Sequence, residues 1–183
     1  MVRVSQRSIV LLAVFGAIGT PAMAHGPTGA HTTAGPTDPQ IAHIAYTAGQ
    51  IDIAAADQAL SKSHAPAVRA FAETMKRDHK AVNDQATALL NRLRVKPEAN
   101  PTSTALSEQA THSLAELAKL EGSTFDRAYI QNEVTFHQTV NAALQNTLIP
   151  DADNADLKSL LRTGLSLFQA HLIHAKQIAQ SLR

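Results

Sequence analysis

The sequence of 183 residues contains no cysteine and no tryptophan, and only seven of its residues are phenylalanine or tyrosine. Without cysteine the chain has no disulfide bonds, thiolate metal sites, cysteine nucleophiles or lipid anchors on cysteine. No apolar run reaches the roughly 20 residues that a membrane-spanning helix needs. Few aromatic residues, together with frequent Ala, Leu and Gln, favour helices over a β-sandwich.

Acidic residues are absent from the first 24 positions, which carry two arginines. An apolar run follows at 9–18, and Ala22 and Ala24 supply the small residues that precede a signal-peptide cleavage site. We therefore predict that residues 1–24 are a secretory signal peptide and that the protein is periplasmic or secreted. The rest of the chain has 14 basic and 15 acidic residues. That balance argues against a nucleic-acid-binding protein, which needs a basic face.

Residues 25–37 are rich in Gly, Pro and Thr and lack helical periodicity, which predicts a flexible leader. His25 and His31 in this leader are either incidental or a pair able to hold copper. The remaining residues, 38–183, have the length of one domain. We predict no stable membrane insertion after the signal peptide is removed.

Four long segments place apolar or small residues at alternating spacings of four and three, the pattern of an amphipathic helix. They cover about 38–62, 65–94, 123–149 and 154–183. The first two and the last two are joined by short connections, which predicts antiparallel neighbours. Residues 95–122 are long enough to return along the bundle and contain a shorter predicted helix at 105–120. The sequence thus predicts an all-α, ferritin-like four-helix bundle with a long crossover containing a short helix between the second and third helices. An up-down-up-down bundle is the alternative.

Each long helix has a polar residue in its apolar stripe where leucine would be expected. These residues are Asp52, His79, His137 and His171. Each lies within about one turn of the centre of its helix. Antiparallel helices of similar length keep their centres level, so we expect the four side chains in one buried layer. Burying a carboxylate and three imidazoles is costly unless they are paired or bind a metal.

Two further side chains are candidates for the same layer. Glu133 lies four residues before His137 on the same face, where it can bind a metal or accept a hydrogen bond from an imidazole. His174, three residues after His171, is a further candidate ligand. We predict one transition-metal ion, held by the three histidines of the stripes with Asp52 or Glu133 completing the shell. Zn, Cu, Fe and Mn all suit this donor set.

Neighbouring candidates are given other roles. Asp78 precedes His79 but points some 100° away on the helix, so we expect it to support another side chain rather than bind metal. His43, His64 and His112 have no evident partners and are expected at the surface.

Three segments resemble the DUF4142 family of exported bacterial proteins. They carry FA..M..DH in the second helix, FD.AY and a later His in the third, and HL in the fourth. The matching residues are Phe71, Ala72, Met75, Asp78, His79, Phe125, Asp126, Ala128, Tyr129, His137, His171 and Leu172. The resemblance implies a ferritin-like helical bundle and supplies no activity. The family usually has Glu in the first helix, where this chain has the shorter Asp52.

The chain departs from the ferritin di-iron pattern, which uses Glu-x-x-His on two helices. Lys76 and Phe168 stand three residues before His79 and His171, so a mononuclear, histidine-rich site fits better. The sequence lacks a phosphate loop, HExxH and a nucleophile elbow. Three hypotheses for function are a metal-handling protein, a redox metalloenzyme with an open coordination position, and a metal-free interaction or stress protein. In the third, the polar layer would only set helix register.

Overall fold

The computed structural model describes residues 35–182, which form helices and no β-strand. The long helices are α1 (Asp38–Lys62), α2 (Pro66–Leu93), α3 (Pro101–Ala118), α4 (Gly122–Ala143) and α6 (Ala155–Ser181). A π-helical turn (Leu144–Leu148) joins α4 to the short helix α5 (Ile149–Asp151). The predicted signal peptide and residues 25–34 of the predicted leader, with both of its histidines, lie outside the described residues. None of the helices within 35–182 combines the length and the apolar character that crossing a bilayer requires.

The starts of α1 and α6 are tied together at one end of the molecule. Asp38 is a residue type that often caps helices, but its side chain accepts hydrogen bonds from the backbone N–H groups of Asp153 and Asn154, both at 2.9 Å. Thr37 takes the N-cap position of α1 instead. Asn154 caps α6 through its own side chain, which accepts two backbone N–H groups at 3.0 Å. The predicted start of the last helix is therefore confirmed.

Helix α3 is longer than the sequence predicts. It begins at Pro101 rather than near 105, because proline is compatible with the first turn of a helix and Asn100 caps that turn. Asn100 also donates to the carbonyl oxygen of Gln40 at 3.2 Å, near the start of α1. Near the end of α1, Lys62 donates to the carbonyl oxygen of Ala118 at 3.1 Å. Helix α3 therefore runs beside α1 along its length.

Both ends of α4 differ from the prediction. The helix begins at Gly122, which has a φ of 52°, one residue before the predicted start at 123. At its other end the regular α-helix stops at Ala143, and the π-helical turn that follows ends two residues before Pro150. Proline has no N–H to donate and its ring clashes with the carbonyl four residues earlier, so the α-helical hydrogen bond cannot form at Pro150. The wider π-helical turn precedes this position, and Pro150 lies in the first turn of the short α5, where proline is tolerated.

The four longest helices pack in a cycle, α1 on α2, α2 on α6, α6 on α4 and α4 on α1, with α3 outside against α1. An ion pair of 2.7 Å between Arg92 and Asp156 joins the end of α2 to the start of α6, so these helices are antiparallel. The apolar core forms two clusters, one at each end of the cycle. Along α2, Met75 belongs to one cluster and Leu89 to the other, and His79 lies between them. A layer of buried polar side chains thus separates the two halves of the core.

Candidate metal centre

Five of the six predicted site residues meet in this polar layer. They are Asp52 on α1, His79 on α2, Glu133 and His137 on α4, and His171 on α6, and each is at most 4% exposed. His174 does not join them, because it faces solvent and its ring packs edge-on against Phe71, with centroids 5.3 Å apart. His64 and His112 are exposed as expected, whereas His43 is half-buried.

Three imidazole rings form a nearly equilateral triangle. The ring centroids lie 5.6 Å apart for His79 and His137, 5.4 Å for His79 and His171, and 5.5 Å for His137 and His171. The rings come from three different helices, so only the packing of α2, α4 and α6 brings them together. This spacing leaves room for one small ion between them.

Two of these rings have one nitrogen engaged and the other buried without a partner. Nδ1 of His137 donates to the backbone carbonyl oxygen of Glu133 at 3.0 Å, and its Nε2 has no hydrogen-bond partner within residues 35–182. Nε2 of His171 donates to Oδ2 of Asp78 at 3.0 Å, and its Nδ1 is likewise unpartnered among the described residues. Each engaged N–H fixes the tautomer, which leaves a lone pair on the other nitrogen.

The third ring is held differently. Nε2 of His79 lies 3.4 Å from Oδ2 of Asp52, and neither of its nitrogens makes a hydrogen bond to any residue of the described part. Its ring stacks on Phe168, with centroids 4.5 Å apart and planes at 10°. Phe168 therefore fixes the plane of His79 and leaves its nitrogens for polar partners in the layer.

The three histidines are neutral in this environment. Burial, with a contribution from the neighbouring imidazoles, lowers the pKa of His79 well below 6.5 and that of His137 to about 3. Burial also lowers the pKa of His171, against the opposing effect of Asp78. Metal ligation requires neutral imidazole, so the protein holds these side chains in the form that binds.

A pair of carboxyl groups lies beside the histidines. Asp52 and Glu133 share a hydrogen bond, and burial together with this contact raises the pKa of Asp52 well above 3.8. Burial raises the pKa of Glu133 to about 8. Oε2 of Glu133 has no hydrogen-bond partner in the described part of the chain and lies 3.5 Å from Nδ1 of His137. The pair therefore stays largely protonated unless a cation is present.

Asp78 supports the site from its edge, in agreement with the sequence-based expectation. Its Oδ1 accepts from Nε of Arg77 at 2.8 Å while its Oδ2 accepts from His171. Burial acts to raise the pKa of Asp78, but the hydrogen bonds from Arg77 and His171 and the positive charge of Arg77 outweigh it and lower the pKa. Asp78 is thus an ionised acceptor for His171.

Sequence reasoning missed the part that two aromatic residues play. The sequence marks Phe168 only as a residue that stands where the di-iron pattern has a carboxylate, yet its ring covers His79 and lies 5.9 Å from His171 and 6.3 Å from His137. It marks Tyr129 only as a residue that matches the family motif. Burial and the nearby carboxyls of Glu133 and Asp52 raise the pKa of Tyr129 well above 10, so its hydroxyl faces the carboxyl pair as a neutral group. Nothing in the spacing of the sequence distinguishes these rings from core residues.

The donor atoms fall into two sets, in each of which one atom per residue lies within 4.8 Å of the others. One set is His79, His137 and His171, and the other is Asp52, Glu133 and His137. Imidazole suits Zn, Cu, Fe and Ni, whereas carboxylate suits Mg, Ca and Mn. The layer therefore has the chemistry of a cation site.

Comparisons with known proteins give a family and a similar fold. The family model described as "Domain of unknown function (DUF4142)" matches residues 22–178. The fold is similar to that of CopM in the Cu(II)-bound form, with a TM-score of 0.65 and 18% sequence identity over 81% of this chain and 99% of that chain. At this identity the likeness shows the fold alone. None of the curated proteins matches the chain.

Proposed function

The chain belongs to the DUF4142 family, whose description assigns no function, and we propose that it is a metal-binding protein. In this proposal His79, His137 and His171 hold one transition-metal ion in the core of a ferritin-like four-helix bundle. The protein then serves in metal handling, storage or protection against metal stress.

The observation that carries this proposal is the triangle of imidazoles with unpartnered nitrogens. A buried polar atom without a hydrogen bond costs about 1–3 kcal/mol, and four of the six nitrogens of these rings are in that state within residues 35–182. One cation between the rings would satisfy a nitrogen on each of them. The engaged N–H groups direct Nε2 of His137 and Nδ1 of His171 to that ion, because only these nitrogens keep a lone pair.

Asp52 is suited to supply a fourth ligand, since its carboxylate already approaches His79, with Glu133 as the other carboxylate available. Zn, Cu, Fe and Mn are all compatible with three imidazoles and a carboxylate. CopM, a protein of similar fold, has been solved in a Cu(II)-bound form. Copper is therefore the first ion to test.

We also propose that the protein is exported. Residues 1–24 act as the signal peptide, residues 25–37 are the leader that follows it, and residues 38–183 make up the helical domain. The arginines, apolar run and small residues of the first segment support this division. Intact-mass measurement of protein from the native compartment should give a chain that begins at His25. A mass that includes the first 24 residues would rule out cleavage.

The test of metal binding is the response of the thermal midpoint to a chelator. A ligand that binds only the folded state stabilises it by mass action, so wild-type protein loaded with metal should lose stability when a chelator is added. The variant His137→Ala should show little response, because it lacks one of the three nitrogens. Comparing each protein with and without chelator removes the separate cost of the cavity that the substitution leaves.

His174→Ala is the matched control, because this histidine lies on α6 close to His171 but faces solvent. It should respond to the chelator as wild type does. If wild-type protein carries no stoichiometric metal and does not respond, the proposal is wrong, and the three histidines form a polar layer that sets helix register in a metal-free protein.

A further inference from the structure

We propose that the polar layer holds a second divalent cation, bound by the oxygen atoms of Asp52 and Glu133 next to the three-histidine position. This inference rests on the proposed function, since it assumes that the layer is a metal site, and it extends that site from one ion to two.

The first reason is the geometry of the two carboxyl groups. Asp52 is 2% exposed and Glu133 is 1% exposed, and one oxygen of each lies within 4.8 Å of the other, although they come from α1 and α4. A cation between two buried carboxyls offsets the cost of burying them together. Oε2 of Glu133 has no hydrogen-bond partner within residues 35–182, and the hydroxyl of Tyr129 is also unpartnered there. Oxygen atoms able to bind a cation therefore converge here with unused hydrogen-bonding capacity.

The second reason is that the donors do not form a single shell. The atoms that lie close enough to share one ion divide into the three histidines and a second set of Asp52, Glu133 and His137, so that only His137 belongs to both. Asp52 stands between the two sets, since its Oδ2 approaches Nε2 of His79 at 3.4 Å while the same carboxyl contacts Glu133. A carboxylate in this place can bridge two neighbouring ions, which in two-metal sites lie about 3.5–4 Å apart.

The chemistry of the donors separates the two positions. Nδ1 of His137 already donates to the carbonyl oxygen of Glu133, so this ring directs Nε2 to the three-histidine position. The other position is then lined by oxygen atoms from Asp52 and Glu133, with the hydroxyl of Tyr129 next to them. Oxygen donors favour hard cations such as Mn²⁺, whereas imidazoles favour Zn²⁺ or Cu²⁺. The structure therefore predicts a mixed pair of ions, a hard divalent cation beside an imidazole-bound one.

The experiment loads chelator-stripped, full-length protein with Zn²⁺ and Mn²⁺ together and measures both metals after desalting. Wild type should retain one Zn²⁺ and one Mn²⁺ per chain. Glu133→Gln keeps the shape of the side chain but removes its charge, so it should lower Mn²⁺ affinity by about tenfold or more and leave Zn²⁺ in place. His171→Ala should do the reverse. Asp126→Asn is the control, because Asp126 is a buried acid on α4 outside both donor sets, and it should retain both ions.

A second measurement needs no variant. With Cu²⁺ at the histidines and Mn²⁺ at the carboxylates, two paramagnetic ions a few ångströms apart should broaden the Mn²⁺ resonance, whereas diamagnetic Zn²⁺ at the histidines should leave it sharp. Retention of a single ion by wild type, unchanged in Glu133→Gln, would overturn the second position and leave the proposed function standing. Retention of neither ion would reject both. A Mn²⁺ resonance that is the same beside Cu²⁺ and Zn²⁺ would show that the ions are not neighbours.

Discussion

At the scale of single residues, the histidines depend on the oxygen atoms that hold them. The backbone carbonyl of Glu133 orients His137, and the carboxylate of Asp78 orients His171. These differ in one respect, since a backbone carbonyl cannot be removed by substitution, whereas Asp78 can be. Asp78 is also fixed by Arg77, so its position does not depend on the metal. A substitution of Asp78 can therefore change the orientation of His171 while leaving His171 itself in place.

We predict that Asp78→Ala lowers metal affinity by about 10–100-fold, the usual cost of removing the partner that orients a histidine ligand. Without Asp78 the ring of His171 can present either nitrogen to the core, and its lone pair is less basic. Asp78→Asn should lower affinity less, because an amide oxygen can still accept from Nε2. Competition with a chelator of known affinity measures each value.

The control for this series is Asp84→Ala. Asp84 is exposed on the same helix and pairs only with Lys80, at 2.7 Å, among the contacts described for it. Its removal should leave the affinity unchanged. Equal affinities for wild type and Asp78→Ala would show that Asp78 does not orient a ligand.

At the scale of helices, the close approach of α1 and α2 depends on Gly49. A Cβ at this position would lie 2.4 Å from Oδ1 of Asn83, a buried side chain that donates to the carbonyl oxygen of Tyr46. We predict that Gly49→Ala destabilises the metal-free protein by about 1–3 kcal/mol, the usual cost of overpacking. That cost exceeds the gain of up to about 1 kcal/mol that alanine brings to a helix. Urea denaturation measures the difference.

Gly164→Ala is the matched comparison on α6. A Cβ there would lie 3.4 Å from the ring of Phe168, close to an ordinary contact. The helical preference of alanine should offset any small cost of that contact, so stability should stay about the same or rise by up to about 1 kcal/mol. If both substitutions had the same effect, helix propensity rather than the contact between α1 and α2 would govern Gly49.

The helices themselves followed from periodicity, whereas several of their ends did not. Spacings of four and three report which face of a helix is apolar, and that pattern is local. The role of Asp38 is not local, because its acceptors are used by backbone N–H groups more than 100 residues away. The sequence pattern places Pro101 in a connection, although proline serves as well at the start of a helix. The same residue type can cap a helix in one place and not in another. Tertiary contacts, which the local sequence does not show, therefore decide which side chain caps each helix.

The level of the polar layer was predictable for a geometric reason. Antiparallel helices of similar length align their centres, and Asp52, His79, His137 and His171 each lie near such a centre. What the sequence could not supply is side-chain orientation. The tautomers of His137 and His171, and the division of the donors into two sets, depend on rotamers and on neighbours from other helices. His174 illustrates this limit of sequence spacing. It follows His171 by only three residues, yet it lies on the exposed side of α6.

At the scale of the whole molecule, the buried layer makes the stability of the metal-free protein depend on pH in two opposite ways. The folded pKa of His137 is depressed to about 3 from 6.5, and those of His79 and His171 are also lowered. The unfolded chain therefore takes up protons below about pH 6.5 that the folded chain does not, and stability falls as pH falls. Glu133 acts in reverse, since its folded pKa of about 8 lies above 4.5. The folded chain keeps a proton that the unfolded chain releases, so stability falls as pH rises from about 4.5 to 8.

These two effects predict a maximum in the stability of metal-free protein near pH 6.5. Below that pH the three histidines, whose pKa values are lowered, outnumber the two carboxyls, whose pKa values are raised, so the free energy of unfolding falls as pH falls. Above that pH only the carboxyls change the free energy of unfolding. From pH 6.5 to 8, Glu133 alone should lower the free energy of unfolding by roughly 1–2 kcal/mol. Bound metal reverses the alkaline side, because ligation takes ionised carboxylates and neutral imidazoles and so strengthens as pH rises. Urea denaturation at pH 5, 6.5 and 8, with and without metal, measures both curves. Metal-free protein that is more stable at pH 8 than at 6.5 would mean that Glu133 is already ionised in the folded chain, and the carboxyl pair would then need a different partner from the proton assigned to it.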